Sequence, residues 1–182
     1  MNYFLGSHST GKSTLCDEIL KVDPDFVVVE SLVRSMNKGL NEVGVSFHEV
    51  NKQKILNNLS LSLHNFTHKS TQGIATRSLI DQIVYNKVVS PDLCVKHLQE
   101  QWDKDAKHIG YIFVTPIEFP LVVDEARVGL WSDPVIQKEI ETDMELFLLK
   151  QVSLGLISNK QIVYLRGSVE ERFAVLRTYL NI

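Results

Sequence analysis

The sequence predicts a three-layer α/β fold, a five-stranded parallel sheet with helices on both faces, and three observations carry that expectation. Short apolar runs alternate with helical stretches along the whole chain, the order that right-handed crossovers between parallel strands require. One run, Phe26-Val27-Val28-Val29, is continuous and β-branched, as in a strand buried on both faces. No repeat, low-complexity tract or Pro/Gly/Ser-rich linker breaks the pattern. Residues 1–182 therefore read as one domain, at the upper end of what a single core spans.

The elements follow in order. Asn2-Tyr3-Phe4-Leu5 is a first strand, and residues 6–14 form a glycine-bounded loop running into a helix that ends near Lys21. Phe26 to Val29 is the second strand. Ser46 opens a long helix, with Glu49 as its capping-box partner and Val45 and Val50 as a hydrophobic staple. Ile55, Leu59, Leu63 and Phe66 continue one apolar face through it. Gly73 to Thr76 is the third strand, and Ser78 to Lys87 a helix. Ser90-Pro91 supplies an N-cap and a first-turn proline for the next helix. Tyr111 to Val114 is the fourth strand. Asp133-Pro134 starts a helix carrying Ile136, Ile140 and Phe147, Gln161 to Leu165 is the fifth strand, and Glu170 to Leu180 closes the chain.

Composition excludes several classes of function. The chain is 44% hydrophobic and 23% charged, the balance of a globular protein with a sizeable core. A net charge of -3, with dispersed Lys and Arg, implies no bulk attraction to nucleic acid or anionic membrane. Cys16 and Cys94 form no CxxC and read as ordinary buried thiols, not as a disulfide framework or zinc site. No apolar run is long enough to span a bilayer, and Met1 leads almost directly into a strand. The expected location is cytoplasmic, or the host cytoplasm for a phage-encoded chain.

Gly6-Ser7-His8-Ser9-Thr10-Gly11-Lys12-Ser13 matches GxxxxGK[ST] in full, between a predicted strand and a predicted helix. Gly6 and Gly11 allow backbone conformations and close approaches that a Cβ obstructs. The intervening amides form a nest for phosphate oxygens at a helix N-terminus, with Thr14 in its first turn. Lys12 reaches the β- and γ-phosphates of ATP, and the Ser13 hydroxyl is a ligand for Mg²⁺. The pattern specifies a P-loop NTPase fold and nucleotide binding. It leaves the reaction open.

Beyond the loop, three segments occur in a telling order: Val29-Glu30-Ser31-Leu32-Val33-Arg34, Thr76-Arg77-Ser78-Leu79-Ile80-Asp81-Gln82-Ile83-Val84-Tyr85, and Asp124-Glu125-Ala126-Arg127. With the loop they resemble the small P-loop kinases of the nucleoside and nucleotide kinase group, in the branch that includes nicotinamide riboside kinase domains and many phage proteins. The resemblance covers nearly the whole chain. It implies an ATP-dependent phosphotransferase with a helical lid at about residues 116–150 and, often, a homodimer.

The resemblance assigns roles. Glu30 accepts a proton from the attacking hydroxyl or binds a sugar hydroxyl; otherwise it is a solvated strand-end glutamate. Arg34 holds an acceptor phosphate, pairs with Glu30, or is a surface arginine. Arg77 clamps phosphate oxygens, Asp81 orients it, and Tyr85 either serves the acceptor or belongs to the core. Arg127 swings in from the lid, or pairs with Asp124 or Glu125; Gly129 and Trp131 fit a hinged segment there. Arg166 to Arg172 resembles the loop that wraps adenine, with Gly167 and Ser168 reading the base edge and Arg172 over its face. Ser168 is equally an N-cap with Glu171 as its partner.

The chain departs from the family at Thr76, where Asp or Glu usually precedes the arginine and helps hold Mg²⁺. Either Glu30 or Asp124 replaces it, water fills the shell, or transfer is weak, which leaves room for a nucleotide-dependent binding module. The expected acceptor is a nucleoside, a nucleoside monophosphate or a similar small metabolite. A hydroxymethylated pyrimidine within DNA is the alternative, and the net charge weighs against it. His8 either points at phosphate or faces solvent. His48, His64, His68, His97 and His108 lack ligand spacing and read as helix-surface residues.

Overall fold

The computed structural model describes residues 1–30, 49–67, 73–121 and 132–182. Among these, five parallel strands run β1 (Asn2–Leu5), β2 (Val28–Val29), β3 (Ile74–Ala75), β4 (Ile112–Val114) and β5 (Ile162–Tyr164), in the sheet order β2-β3-β1-β4-β5. The described helices are α1 (Lys12–Val22), α2 (Glu49–Thr67), α3 (Leu79–Val89), α4 (Lys96–Asp105), α5 (Pro134–Ser153) and α6 (Val169–Leu180). β1 is central, with Tyr3 in register with Ala75 on one side and Ile112 on the other.

Period-two alternation along the strands divides the core between the faces. Tyr3, Leu5, Ala75, Ile112 and Val114 point into one cluster with Leu79, Ile80, Leu98, Trp102, Ile140 and Met144 of α3, α4 and α5. Phe4, Ile74, Phe113 and Val163 point into the other with Leu15, Ile19 and Leu176 of α1 and α6. The three expected layers result. Local capping sets the ends of three helices. Ser78 and Asp81 form a capping box at α3, Asp133 accepts from Val135 N–H ahead of Pro134 at α5, and Ser168 and Glu171 form the box at α6.

Five expectations need correction. The run at Val27 to Val29 is not doubly buried: Val28 and Val29 are half-buried and Val27 is 49% exposed, because β2 is an edge strand of the described sheet. The apolar stripe on α2 is not its buried face. Phe66 is 87% exposed, while Gln53, Leu56, Asn57, His64 and Thr67 are buried. Dedicated partners make that polar face cheaper to bury: Asn57 Oδ1 accepts from Asn86 Nδ2 at 2.7 Å, and His64 bridges Tyr3 and Asp105. His64 is thus no surface residue.

Ser90-Pro91 starts no helix. Ser90 N–H instead closes α3 on Asn86 O at 2.8 Å, and a turn intervenes before α4. Cys16 is buried as expected, but Cys94 is exposed. The capping box and staple expected at Ser46 and Val45 lie outside the described residues. Among the described residues no helix is long and apolar enough to cross a membrane.

Candidate active site

The loop after β1 is held from below. Thr10 Oγ1 donates to Ser7 O at 3.0 Å and lies 2.8 Å from Thr115 Oγ1, at the carboxyl end of β4. Gly6 lies so close to that strand end that a Cβ would sit 2.3 Å from Thr115 Oγ1 and 2.5 Å from Thr115 O, so this approach requires glycine. Ser9 and Gly11 take left-handed backbone, φ 61° and 86°, and turn the loop into the first turn of α1. Lys12 Nζ folds over the rim, donating to Gly6 O at 2.7 Å, Ser7 O at 2.6 Å and Thr10 Oγ1 at 3.2 Å. Ser13 and Thr14 are exposed at the open end of α1.

This geometry fits a polyphosphate. It is a concave backbone at a helix N-terminus, with a cation at its rim and the Ser7 hydroxyl buried without a hydrogen-bond partner. His8 does not face open solvent. It is half-buried, its Nδ1 3.5 Å from the Tyr85 hydroxyl and its carbonyl accepting from Gln137 Nε2 at 2.7 Å.

Arg172 is buried beside the loop, at 1% exposure. Its Nη1 donates to Thr10 O at 2.9 Å, its Nε to Gly167 O at 3.0 Å and its Nη2 to Glu118 Oε2 at 2.9 Å. Its guanidinium lies 4.4 Å from the Phe119 ring centroid. The expected adenine contacts differ accordingly. Arg172 stacks on Phe119, the Gly167 amide donates to Glu118 at 2.7 Å, and the Ser168 amide donates to Glu171 at 2.7 Å. The backbone N–H groups of Gly167 and Ser168 are thus engaged within the protein. Glu118 is held below the usual glutamate range, first by the Gly167 amide and then by Arg172.

On the other side of β1, a cleft enclosing about 490 Å³ of empty space, open to solvent, lies between α2 and the carboxyl ends of β2 and β3. Glu30 and Arg77 both line it, with apolar walls from Val29, Leu56, Leu59, Leu63 and Leu79. Glu30 is exposed at the strand end, and its negative field adds to the burial that pushes the Cys16 thiol up to about 12. Arg77 lies over the Tyr85 ring, 4.9 Å from its centroid. Tyr85 belongs to the core cluster, so it supports Arg77 from beneath.

Asp81 makes no open acceptor contact. It is 1% exposed, and its Oδ2 accepts from Ser78 N–H at 2.7 Å and Ser78 Oγ at 3.0 Å. Burial raises its pKa, opposed by the positive fields of Arg77 and Lys12. Arg34, Asp124, Glu125, Arg127, Gly129 and Trp131 lie outside the described residues. Of the expected lid, Pro134 to Lys150 is part of α5, with Ile140, Met144 and Leu148 buried in the main core.

Mg²⁺ finds a partial donor set. Ser13 is available, whereas Thr76 is 7% exposed with its hydroxyl directed to Val29 O at 3.4 Å. Among the described residues no group of three or more His, Cys, Asp or Glu could hold a metal. Several residues here give no local sequence signal. Thr115, Glu118, Phe119 and Gln137 reach the loop or Arg172 from distant positions, and Tyr3 and His64 line the cleft.

A parallel sheet of this order, with a GxxxxGK[ST] loop after its central strand, is the P-loop NTPase fold. No family model and no curated protein matches the chain. Among solved structures it is similar to NadR protein in complex with NR, at TM-score 0.66 and 15% identity over 100% of this chain. It spans about half, 49%, of that longer chain. It is also similar to deoxyadenosine kinase from M. mycoides with bound dATP, at TM-score 0.58 and 10% identity, covering 100% of this chain and 99% of that one. Thymidylate kinase from Candida albicans is similar at TM-score 0.58 and 15% identity, covering 99% and 90%. At these identities the likeness establishes the fold.

Proposed function

We propose that the protein is an ATP-dependent kinase that transfers the γ-phosphate to a free nucleoside or nucleoside monophosphate. The observation that carries this reading is that Glu30 and Arg77 line one cleft at the carboxyl ends of β2 and β3, on the same edge of the sheet as the phosphate loop. Lys12 and the loop amides hold the polyphosphate, Arg77 meets phosphoryl oxygens, and Glu30 takes the proton of the attacking hydroxyl or fixes the sugar. Mg²⁺, when bound, neutralises charge on the β- and γ-phosphates. Ser13 is the residue that would hold it. The lid contribution is assigned to Arg127, and a homodimer is the proposed assembly.

A free acceptor is favoured over a base within DNA. Among the described residues lining the cleft, Arg77 is the only Lys or Arg and the walls are aliphatic, whereas a DNA strand requires clustered cations along its path. The test is ATP turnover with and without a panel of nucleosides and nucleoside monophosphates. ATP consumed equally whatever acceptor is present would defeat the proposal.

Two substitutions probe the chemistry. Glu30→Gln is expected to lower turnover about 10²-fold at unchanged ATP affinity; an equal loss in ATP affinity would remove Glu30 from the acceptor side. Thr76→Asp is expected to raise Mg²⁺-dependent turnover about 10-fold by restoring a carboxylate. No gain would mean that another residue already supplies it. Thr76 also favours one second reading, a module that binds nucleotide with little transfer, which acceptor-independent binding without turnover would support.

A further inference from the structure

Two buried side chains reach the phosphate loop from opposite faces of the sheet. Gln137, near the start of α5, is 3% exposed, and its Nε2 donates to His8 O at 2.7 Å. Arg172, near the start of α6, donates from Nη1 to Thr10 O at 2.9 Å. α5 packs into one core cluster through Ile140 and Met144, and α6 into the other through Leu176. The residues that follow the two carbonyls, Ser9 and Gly11, are the left-handed ones of the loop, at φ 61° and 86°.

No peptide of the described chain is cis, and in a trans peptide the carbonyl of one residue and the N–H of the next point opposite ways. Gln137 draws His8 O toward α5 and so turns the Ser9 N–H away from it. Arg172 draws Thr10 O toward α6 and turns the Gly11 N–H back in the same manner. The two amides then face the hollow between them, with left-handed backbone at Ser9 and Gly11 making the reversals. A peptide anchored by its carbonyl holds that direction before an anion arrives, so binding costs no reorientation there. The anchor is itself fixed. Gln137 N–H donates to Asp133 O at 3.1 Å, and Glu141, one turn further on, accepts from Ile117 N–H at 2.6 Å, which ties this part of α5 to the segment after β4.

We infer that Gln137 is a positioning residue for the polyphosphate: it acts through the peptide between His8 and Ser9 and aims the Ser9 N–H at a phosphate oxygen. The loop pattern gives no hint of it, because Gln137 stands 129 residues from His8. The inference rests on the loop being the polyphosphate site and holds whatever the acceptor.

The experiment follows the Ser9 amide by heteronuclear NMR and binding by calorimetry, with AMP-PNP and inorganic tripolyphosphate as probes, both in Mg²⁺. In the wild-type protein the Ser9 amide proton is expected to move downfield on saturation with either probe, as an N–H does on meeting a charged oxygen. The Gln137 side-chain amide protons should move in the same spectra, since they bond to the other end of that peptide. Gln137→Met keeps the volume and removes the donor, whereas Gln137→Glu keeps the shape and sets an acceptor against His8 O. Each is expected to weaken both probes about 10-fold and to shrink the Ser9 shift by more than half. A residue that only packed α5 would lower the melting temperature and leave the Ser9 shift as it was. An unmoved Ser9 or Gln137 signal in saturated wild-type protein would overturn the inference without any variant, and so would unaltered affinity and Ser9 shift in both variants. No binding of either probe to the wild-type protein would remove this inference together with the assignment of the loop. Binding with the expected shifts, but no acceptor-stimulated ATP consumption, would sink only the kinase reading.

Discussion

Lys12→Ala is expected to lower acceptor-stimulated ATP turnover by about 10³-fold, close to 4 kcal/mol of transition-state stabilisation, while the chain stays folded. The charge of Lys12 sits at the rim of the loop, half-buried, where the field of one ammonium on a transferring phosphoryl group is poorly screened. The loop amides do not depend on it, because the backbone is fixed by Ser9 and Gly11, by Thr10 against Thr115, and by the N-terminus of α1. ATP affinity should therefore fall far less than turnover, by about 10-fold. Stability should fall by no more than about 1–2 kcal/mol, since what Lys12 gives the loop is hydrogen bonds to the carbonyls of Gly6 and Ser7 and the hydroxyl of Thr10. Turnover, nucleotide titration and a thermal melt on the same preparation decide the matter. Near-normal turnover would remove the phosphate loop from the reaction.

The parts of this site that could be read in the sequence are those whose physics is local. A loop of eight residues between a strand and a helix states its own requirements, and Gly6, Gly11, Lys12 and Ser13 stand where the spacing puts them. Capping at Ser78, Asp133 and Ser168 is equally local, because each cap closes within three residues. Glu30 and Arg77 could be found because strand ends in a parallel sheet converge on one edge.

The orientation of α2 could not be found in the same way. Its apolar stripe predicts one buried face, but Asn57, His64 and Thr67 take the other because Asn57 and His64 meet partners on α3, β1 and α4, between 29 and 61 residues away. Periodicity weighs hydrophobicity and carries no information on which polar groups will meet. The contacts on the adenine side were hidden for the same reason. Ser168 was legible as a cap and Arg172 as an important cation, yet the partners that engage the Gly167 amide and the guanidinium are Glu118, Phe119 and Thr10. Those contacts connect three separate stretches of the chain, and no spacing rule reaches across them.

Arg172→Leu is expected to cost about 3 kcal/mol of stability, a fall of roughly 6–12 °C in Tm for a chain of this size. The guanidinium joins the phosphate loop at Thr10 O, the loop after β4 at Glu118, and the turn before α6 at Gly167 O. The Glu118 side chain keeps 26% of its surface in solvent, which screens the ion pair, so much of the cost lies elsewhere. Thr10 is 1% exposed, and its carbonyl would lose the partner that reaches it inside the protein. Leucine recovers the contact with Phe119 but none of the three donated hydrogen bonds. Lysine is expected to recover little more, since a single ammonium cannot span three acceptors that a planar fork reaches together. Because Thr10 belongs to the phosphate loop, nucleotide affinity should fall with stability in both variants. The acid side carries a further signature. Glu118 titrates below its ordinary value of 4.5, so its contribution is present above that value and lost as pH falls through the lowered one. Much of that lowering comes from the Gly167 amide, so the acid-side loss should shrink in Arg172→Leu without vanishing. Melts from pH 3 to 7, with and without nucleotide, test all three expectations, and a Tm change below about 1 °C at neutral pH would show that Arg172 does not hold the loop.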